Sequence, residues 1–328
     1  MMKAIICTKY GPPEVLKIKE LEKPIQGDTE ILIKIYATTV TVADSRVRGF
    51  NVPLSFWLPA RLALGIRKPR KSILGLELSG VIESVGNNVQ SFKAGDHIFA
   101  NAGHNRFGAY AEYCCLPENA CIALKPANLN FEEAAALTFG GITALHFLRK
   151  GKIKPGDKLL IYGASGSVGT YAVQLAKYFG AEVTGVCSTG NLEMVKSLGA
   201  DNVIDYTKTD FLESGEKYDA IFDTVGKAPI AMTIKSLKPN GRYIHAVTTP
   251  ATEIKIRSGL LFSSKKLVGG SFMPDNEQIN FLKKLAKEGK IKPVIDRIYD
   301  LDQIVEAHRY VDLGHKKGNV VIKINSKH

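Results

Sequence analysis

The sequence predicts an α/β fold: a doubly wound parallel sheet joined to a smaller, barrel-like all-β unit. Three observations predict it. Short β-type runs separated by turn signals fill the chain to about residue 123 of 328. Strand and helix patterns alternate after Lys125-Pro126. The first strand of that alternation runs into a glycine-rich turn, "IYGASGSVGTYAVQLAK" at 161–177.

Taken in order, "KAIICT", "EILIKIYATTV", "LSGVIESVG", "DHIFAN" and "AYAEYCCL" read as strands. Gly11-Pro12-Pro13, Gly86-Asn87-Asn88 and Ala94-Gly95-Asp96 supply turns between them. Many short strands and no helical period suggest a barrel. The most apolar stretch, "PLSFWLPARLALGI" at 53–66, is broken by Pro59 and Arg61. It is shorter than the ~20 residues of a membrane-spanning helix. It reads either as the wall of a substrate cleft or as an exposed apolar surface loop.

"NFEEAAALTFGGITALHFLRK" is helical in composition, with Asn130 as N-cap and Glu132 and Glu133 in the first turn. Then "DKLLIYG" leads into a helix and "AEVTGVC" into the helix "NLEMVKSLG"; "NVIDY", "YDAIFDTVG", "GRYIHAV" and "KLVGGSF" follow. Repeated βα units imply a parallel sheet covered by helices on both faces. In the tail, "IKPVIDRIYDL" is a strand that leaves this unit, "LDQIVEAHRYVDLG" a helix ending at Gly314, and "GNVVIKI" a closing strand. The expected domains are 1–123, 124–272, and a return of 273–328 to the first.

Composition excludes several classes. The formal charge is +12, with basic clusters at Arg67, Lys68, Arg70 and Lys71, at Lys265 and Lys266, at Lys283, Lys284 and Lys287, and at Lys316 and Lys317. No aromatic-interleaved basic stripe or known nucleic-acid module accompanies them, so a solvated surface and no nucleic-acid partner are expected. Cys7, Cys114, Cys115, Cys121 and Cys187 form no CxxC pair. Their odd number argues against a disulfide framework and for a reducing cytoplasm. The start, "MMKAIICTKYG", is too short an apolar run for a signal peptide.

Gly163, Gly166 and Gly169 are spaced G-x-x-G-x-x-G, between the buried-strand pattern "LLIY" and a helix carrying Val168, Ala172, Leu175 and Phe179 on one face. A strand, a tight turn and a bare helix N-terminus can cradle a pyrophosphate, because unpaired N–H groups and the helix dipole face it. The alternative is a purely structural turn, and the middle glycine stands one place later than in the usual fingerprint. The second strand ends at Cys187, Ser188 and Thr189, with no carboxylate before Glu193. A carboxylate there would bind a ribose 2′-hydroxyl and repel a 2′-phosphate, so its absence permits NADPH, with NADH as the alternative. The Ser188 and Thr189 hydroxyls either donate to that phosphate or cap the next helix.

The order of parts, with "MKAIICTKYGPPEVLKIKE", "LGLELSGVIESVGNNVQSFKAGDHIF", "GAYAEY", "GASGSVGTYAVQLAK", "SLGADNVIDY" and "YDAIFDTVG", resembles the medium-chain dehydrogenases/reductases. Within them it is most similar to the zinc-independent, ζ-crystallin-like quinone oxidoreductase branch, over essentially the whole chain. The resemblance implies a Rossmann nucleotide-binding domain with a GroES-like barrel domain, and a homodimer. It implies hydride transfer from NADPH or NADH to a quinone or an α,β-unsaturated carbonyl such as a 2-alkenal, in a cleft between domains. It places Gly163, Ser165, Gly166, Ser167 and Val168 on the pyrophosphate, Ser188, Thr189 and Asn191 at the 2′-phosphate, and Tyr206 near the adenine ribose. Thr143 then approaches the nicotinamide, with His245, Ala246, Val247, Gly270, Ser271 and Phe272 lining its pocket. Relatives often carry Lys or Arg where this chain has Gly190 and Asn191.

Zinc members of the family have a cysteine three residues before an aspartate, and a G-H-E triplet. This chain has Thr41 before Asp44, and Leu76 in "GLE". A catalytic zinc takes about three protein ligands, so no metal is expected; the four-cysteine lobe is missing too, and His97 and His104 stand alone. Thr41 and Asp44 are the catalytic candidates, Thr41 either hydrogen-bonding the acceptor's carbonyl or capping a turn. Phe50, Phe56 and Trp57 form an apolar wall for an aromatic acceptor or pack beneath the loop. Two rival functions are a non-catalytic nucleotide-binding protein with a basic RNA- or partner-binding surface, and an alcohol or sugar dehydrogenase, which lacks the metal that lowers an alcohol's pKa.

Overall fold

The computed structural model describes residues 1–52, 57–103, 107–209, 215–247, 250–261 and 263–325. β1 (Met2–Cys7) and β2 (Leu16–Leu21) pair antiparallel as a small sheet of their own. Next come β3 (Glu30–Thr39), α1 (Val42–Gly49), α2 (Trp57–Leu64), β4 (Glu77–Val85), β5 (His97–Asn101), β6 (Tyr113–Pro117) and β7 (Cys121–Leu124). α3 (Phe131–Ala135) and α4 (Thr138–Lys150) lead into β8 (Lys158–Tyr162), α5 (Ser167–Tyr178), β9 (Glu182–Cys187), α6 (Leu192–Ser197) and β10 (Asn202–Asp205). β11 (Tyr218–Asp223), α7 (Ile230–Ser236), β12 (Leu237–His245), α8 (Pro250–Leu260) and β13 (Lys266–Val268) complete the alternation. The chain ends with α9 (Asn276–Lys287), β14 (Ile295–Asp300), α10 (Ile304–Asp312) and β15 (Asn319–Lys323).

Two compact units result: Met1–Phe139 with Met273–His328, and Gly140–Phe272. Residues 124–139, expected with the second unit, belong to the first. In the first unit a seven-stranded sheet runs β14-β15-β3-β4-β5-β7, with β6 also paired to β3. Ile31, Ile33 and Ile35, at alternate positions of β3, join Leu78, Ile82, Ile98 and Leu116 in one core, as the two-residue strand period requires. The closing strand β15 pairs with β3 through Val321 opposite Thr39.

In the second unit all six strands are parallel, in the order β10-β9-β8-β11-β12-β13. Ile221 packs with Ile234 of α7 and Ile256 of α8. The ring of its neighbour Phe222 meets Phe147 of α4, 5.9 Å away. Successive strand residues face opposite sides, so helices cover both faces, as the βα repeat predicts.

The single helical stretch expected from Asn130 onward is two helices. Asn130 caps α3 in a reciprocal box with Glu133, at 2.7 and 2.9 Å. The break before α4 is set from far away in the chain. Glu77 of β4, fully buried, accepts the Thr138 hydroxyl (2.8 Å) and the Phe139 N–H through Oε1, and the Thr39 hydroxyl through Oε2. One carboxylate thus satisfies two donors at the start of α4 and ties them to β3.

Burial pushes the Glu77 carboxyl from 4.5 up to about 7, the hydrogen bonds from Phe139, Thr39 and Thr138 pulling the other way. The folded protein therefore holds this proton when the unfolded chain has lost it, and stability is lost as pH rises from about 4.5 to about 7. Glu77→Gln keeps an acceptor and removes the ionisation. Denaturant melts should show the variant gaining about 2–3 kcal/mol on the wild type between pH 4.5 and pH 8; a constant difference would mean that the carboxyl is ionised throughout.

Candidate functional site

Strand order in the second unit reverses between β8 and β11, and ligands of such sheets bind beyond the carboxyl ends of the strands at that switch point. The registers bring those ends level: Tyr162 lies opposite Val186 and Asp223, Asp223 opposite His245, and Cys187 opposite Asp205.

The glycine turn starts directly after β8. Gly163 has φ +82°, in the left-handed region, and a Cβ there would meet Val225 at 2.2 Å. At Gly169 a Cβ would lie 2.1 Å from the Gly163 carbonyl oxygen, so the helix packs onto the turn only without one. Gly166 is different. It is the N-cap of α5, makes no side-chain cap, and a Cβ there would have the Gly163 oxygen at 3.6 Å as its one close neighbour. The space before the first N–H groups of α5 is open, and no acidic residue stands in that first turn. Ser165, Ser167 and Val168 flank it. Thr143 sits on α4 one turn after Gly140, where a Cβ would come within 2.5 Å of Ser167 Oγ, so α4 runs tightly against the same turn.

After β9, Asn191 is buried and its amide donates to Ser188 Oγ (3.0 Å) and Ser165 Oγ (3.3 Å). It organises both hydroxyls and does not project as a phosphate ligand. The Thr189 hydroxyl donates to Asp205 Oδ2 at 2.5 Å, and Thr207 donates to Oδ1 through its hydroxyl (2.6 Å) and N–H (3.0 Å). Thr189 first, then Thr207, hold the Asp205 carboxyl below its usual range. A carboxylate thus does stand at this end of the sheet, brought from the next strand, where no reading along β9 would find it. Gly190 is exposed, with nothing within 4 Å of a Cβ. Tyr206 follows Asp205 and is about half exposed.

On the other side of the switch point the sequence reading missed Asp223. It is fully buried and accepts the N–H groups of Val225 (3.0 Å), Gly226 (2.7 Å) and Ala228 (3.1 Å), folding 224–228 back on itself. Thr224 fastens that loop to the Tyr162 carbonyl at 2.9 Å. The signal was there, an Asp ending an apolar strand before Thr-Val-Gly. His245 lies beside it, buried, with Nε2 3.7 Å from Asp223 Oδ2. Burial lowers its pKa and Asp223 opposes this, so the imidazole is neutral at pH 7. The Ala246 N–H donates to the Asp223 carbonyl (3.1 Å), and Val247 approaches Gly226. Beyond β13, Gly270 (φ +108°) and Ser271 are exposed, while the Phe272 ring stacks on His146 of α4 at 4.2 Å. The expected coenzyme residues therefore converge on one edge of one sheet.

Thr41 and Asp44 lie in the first unit and are engaged with each other. Thr41 is the N-cap of α1: its hydroxyl accepts the Asp44 N–H (3.1 Å) and donates to Asp44 Oδ2 (2.6 Å). Asp44 is fully buried, its second oxygen accepts the Gly75 N–H (3.1 Å), and burial pushes its carboxyl up to about 6. The capping alternative is the one this geometry shows. Phe50 is buried and Trp57 exposed; Phe56 and His104 lie outside the described residues. The residues at the zinc positions do not fit the metal: the Leu76 side chain has no donor atom, and the Thr41 hydroxyl, a poor ligand, is engaged in hydrogen bonds with Asp44. Among the described residues no group of three or more His, Cys, Asp or Glu is placed to hold a metal ion.

Residues 27–126 match the alcohol dehydrogenase GroES-like domain, and residues 198–322 match the zinc-binding dehydrogenase family. The chain is 34% identical to a 2-methylene-furan-3-one reductase of Solanum lycopersicum, over 98% of this chain and 79% of that one. It belongs to the quinone oxidoreductase branch of the medium-chain dehydrogenases/reductases. It is 30% identical to the chloroplastic NADPH-dependent alkenal/one oxidoreductase of Arabidopsis thaliana, over 98% and 79% of the two chains. Its structure superimposes on the quinone oxidoreductase from Coxiella burnetii with a TM-score of 0.88, at 32% identity and 99% coverage of both chains. The second unit is thus the Rossmann domain of this family, and the first contains its GroES-like domain.

The two glycines separate folding from binding. Gly169→Ala should lower Tm, since overpacking a backbone contact costs about 1–3 kcal/mol or more. Gly166→Ala should melt like the wild type yet weaken coenzyme binding at least about tenfold, because its methyl fills the space before α5. Calorimetry and fluorescence titration with NADPH read the two effects; equal binding by Gly166→Ala and wild type would place the diphosphate elsewhere.

Proposed function

We propose that this chain is a zinc-independent, NADPH-dependent reductase of quinones or α,β-unsaturated carbonyls, with NADH as a poorer donor. One observation carries the reading: a glycine-capped helix N-terminus at the switch point of a six-stranded parallel sheet, in a chain whose relatives are named for enone, alkenal and quinone reduction. The rival of a non-catalytic nucleotide-binding protein has no comparable support.

The α5 N–H groups at Ser167 and Val168 bind the diphosphate, and Ser165 and Ser188, both held by Asn191, add hydroxyls on its adenosine side. Tyr206 borders the adenine ribose. Asp223 fixes the loop against which the nicotinamide end rests, with Thr143, His245, Ala246, Val247, Gly270, Ser271 and Phe272 around it. When bound, a reduced nicotinamide supplies a hydride. The residues orient donor and acceptor and keep the site dry. An electron-poor alkene or quinone accepts hydride without a Lewis acid, so none of the chain's residues has to act as one. Thr41 and Asp44 act as positioning residues for the 41–45 segment, and water supplies the proton.

Five free cysteines support a reducing, cytoplasmic setting. Among the described residues no helix is long and apolar enough to cross a membrane. The three-residue strand β13 ends the parallel sheet, and its outer edge supports pairing with a second copy as a homodimer.

Incubation with NADPH and a panel of quinones, 2-alkenals and secondary alcohols, followed by nicotinamide absorbance, should show turnover with the first two classes and none with alcohols under NADP⁺. Turnover of alcohols alone would overturn the assignment. Gly190→Arg should bind NADPH about 3–10-fold more tightly with NADH unchanged, since the open position lets a guanidinium reach a 2′-phosphate. An equal gain for both coenzymes would move the 2′-position away from Gly190.

A further inference from the structure

Helix α2 of the first unit buries none of its residues. Leu58 and Leu62, one turn apart, are 62% and 58% exposed, Trp57 is 45% exposed, and Ile66 just past the helix is 69% exposed. Helices in water turn such side chains inward. Here the inward position belongs to Arg61, whose guanidinium lies 3.8 Å from the Phe50 ring centre, 4.8 Å from Tyr10 and 5.1 Å from Trp57. Phe50 takes a left-handed conformation (φ +52°) at the end of α1, unusual for a bulky residue, and its ring meets Tyr10 at 4.8 Å. Tyr10 donates to the Gly65 carbonyl (2.9 Å), and the Arg70 N–H to that of Leu64 (2.7 Å), folding 65–70 back against the helix. The helix is thus held by a cation–aromatic clamp, with its leucines left outside.

Along the chain, the charge on either side of this helix has one sign, although Asp312 of α10 pairs with Arg48 at 2.6 Å. Residues 45–76 contain Arg46, Arg48, Arg61, Arg67, Lys68, Arg70 and Lys71, and no Asp or Glu. Arg67, Lys68, Arg70 and Lys71 are exposed and directly follow Ile66. Exposed leucines, a tryptophan and an adjoining cationic cluster complement the boundary of an anionic bilayer, whose acyl region takes the apolar groups and whose phosphates take the cations. We propose that α2 and residues 65–71 form a docking site for an anionic membrane surface. Trp57, Leu58, Leu62 and Ile66 enter the headgroup boundary, and Arg67, Lys68, Arg70 and Lys71 contact lipid phosphates. None of these residues belongs to the coenzyme site, so the failure of the reductase reading would leave this docking intact.

Trp57 is the chain's single tryptophan, so its emission reports this site alone. The full chain is mixed with vesicles of phosphatidylglycerol and phosphatidylcholine, and separately with phosphatidylcholine alone. Anionic vesicles should shift Trp57 emission to the blue, quench it when the acyl chains are brominated, and carry the protein into the pellet. Leu58→Glu with Leu62→Glu should abolish the shift and weaken vesicle binding at least about tenfold. Replacing Arg67, Lys68, Arg70 and Lys71 by Gln should weaken it at least about tenfold as well. Both variants change exposed residues and should keep the wild-type Tm. The proposal is overturned by an unshifted emission, by pelleting that survives the leucine changes, by equal binding to phosphatidylcholine alone, or by the same shift with a soluble acidic polypeptide.

Discussion

The Rossmann domain turns on how closely α5 approaches β8. With Gly163 in a left-handed turn and the Gly163 oxygen 2.1 Å from where a Gly169 Cβ would stand, strand and helix meet with no side chain between them. That contact starts the helix at the carboxyl end of its strand, with Gly166 as an N-cap that brings no side chain. The same parallel sheet delivers the ends of its other strands to one edge, because successive βα units return in one direction. The residues proposed for the coenzyme are drawn from Thr143 to Phe272, yet the register alone suffices to gather most of them.

In the first unit a buried carboxylate has the comparable role. Glu77 joins β4, β3 and the start of α4 through hydroxyl and backbone donors. Replacing a partner would strand a buried acceptor, which costs more than an ordinary hydrogen bond contributes. Asp44 does the same for α1 and Gly75. These groups stand at or beside the positions where zinc relatives carry ligands, and here they are committed to holding backbone in place.

On the proposed reading, coenzyme preference rests on a balance of local charge at the ends of β9 and β10. Gly190 is open, while Asp205, engaged by Thr189 and Thr207, sets a negative charge nearby. The Thr189 proton is directed at Asp205, so this hydroxyl serves the carboxylate before it can serve a ligand.

Periodicity, glycine spacing and turn residues were enough to read the order of strands and helices, the parallel sheet, the Asn130 cap and the glycine cradle, because all of these are written in residues close together in the chain. The family pattern then supplied the residues proposed for the coenzyme. The division of the 131–150 helix depended on Glu77, 61 and 62 residues before its partners. The nearness of Asp205 to Thr189 depended on the pairing of β10 with β9. Three backbone donors gave Asp223 its purpose, and only the fold brings them to it. The apolar run at 53–66 could be cleft wall or surface loop until packing was known, since an apolar residue carries no record of whether anything covers it; among the described residues none of Trp57–Leu64 is buried. Local spacing encodes conformation, whereas burial and charge neighbours arise from contacts between segments distant in the chain.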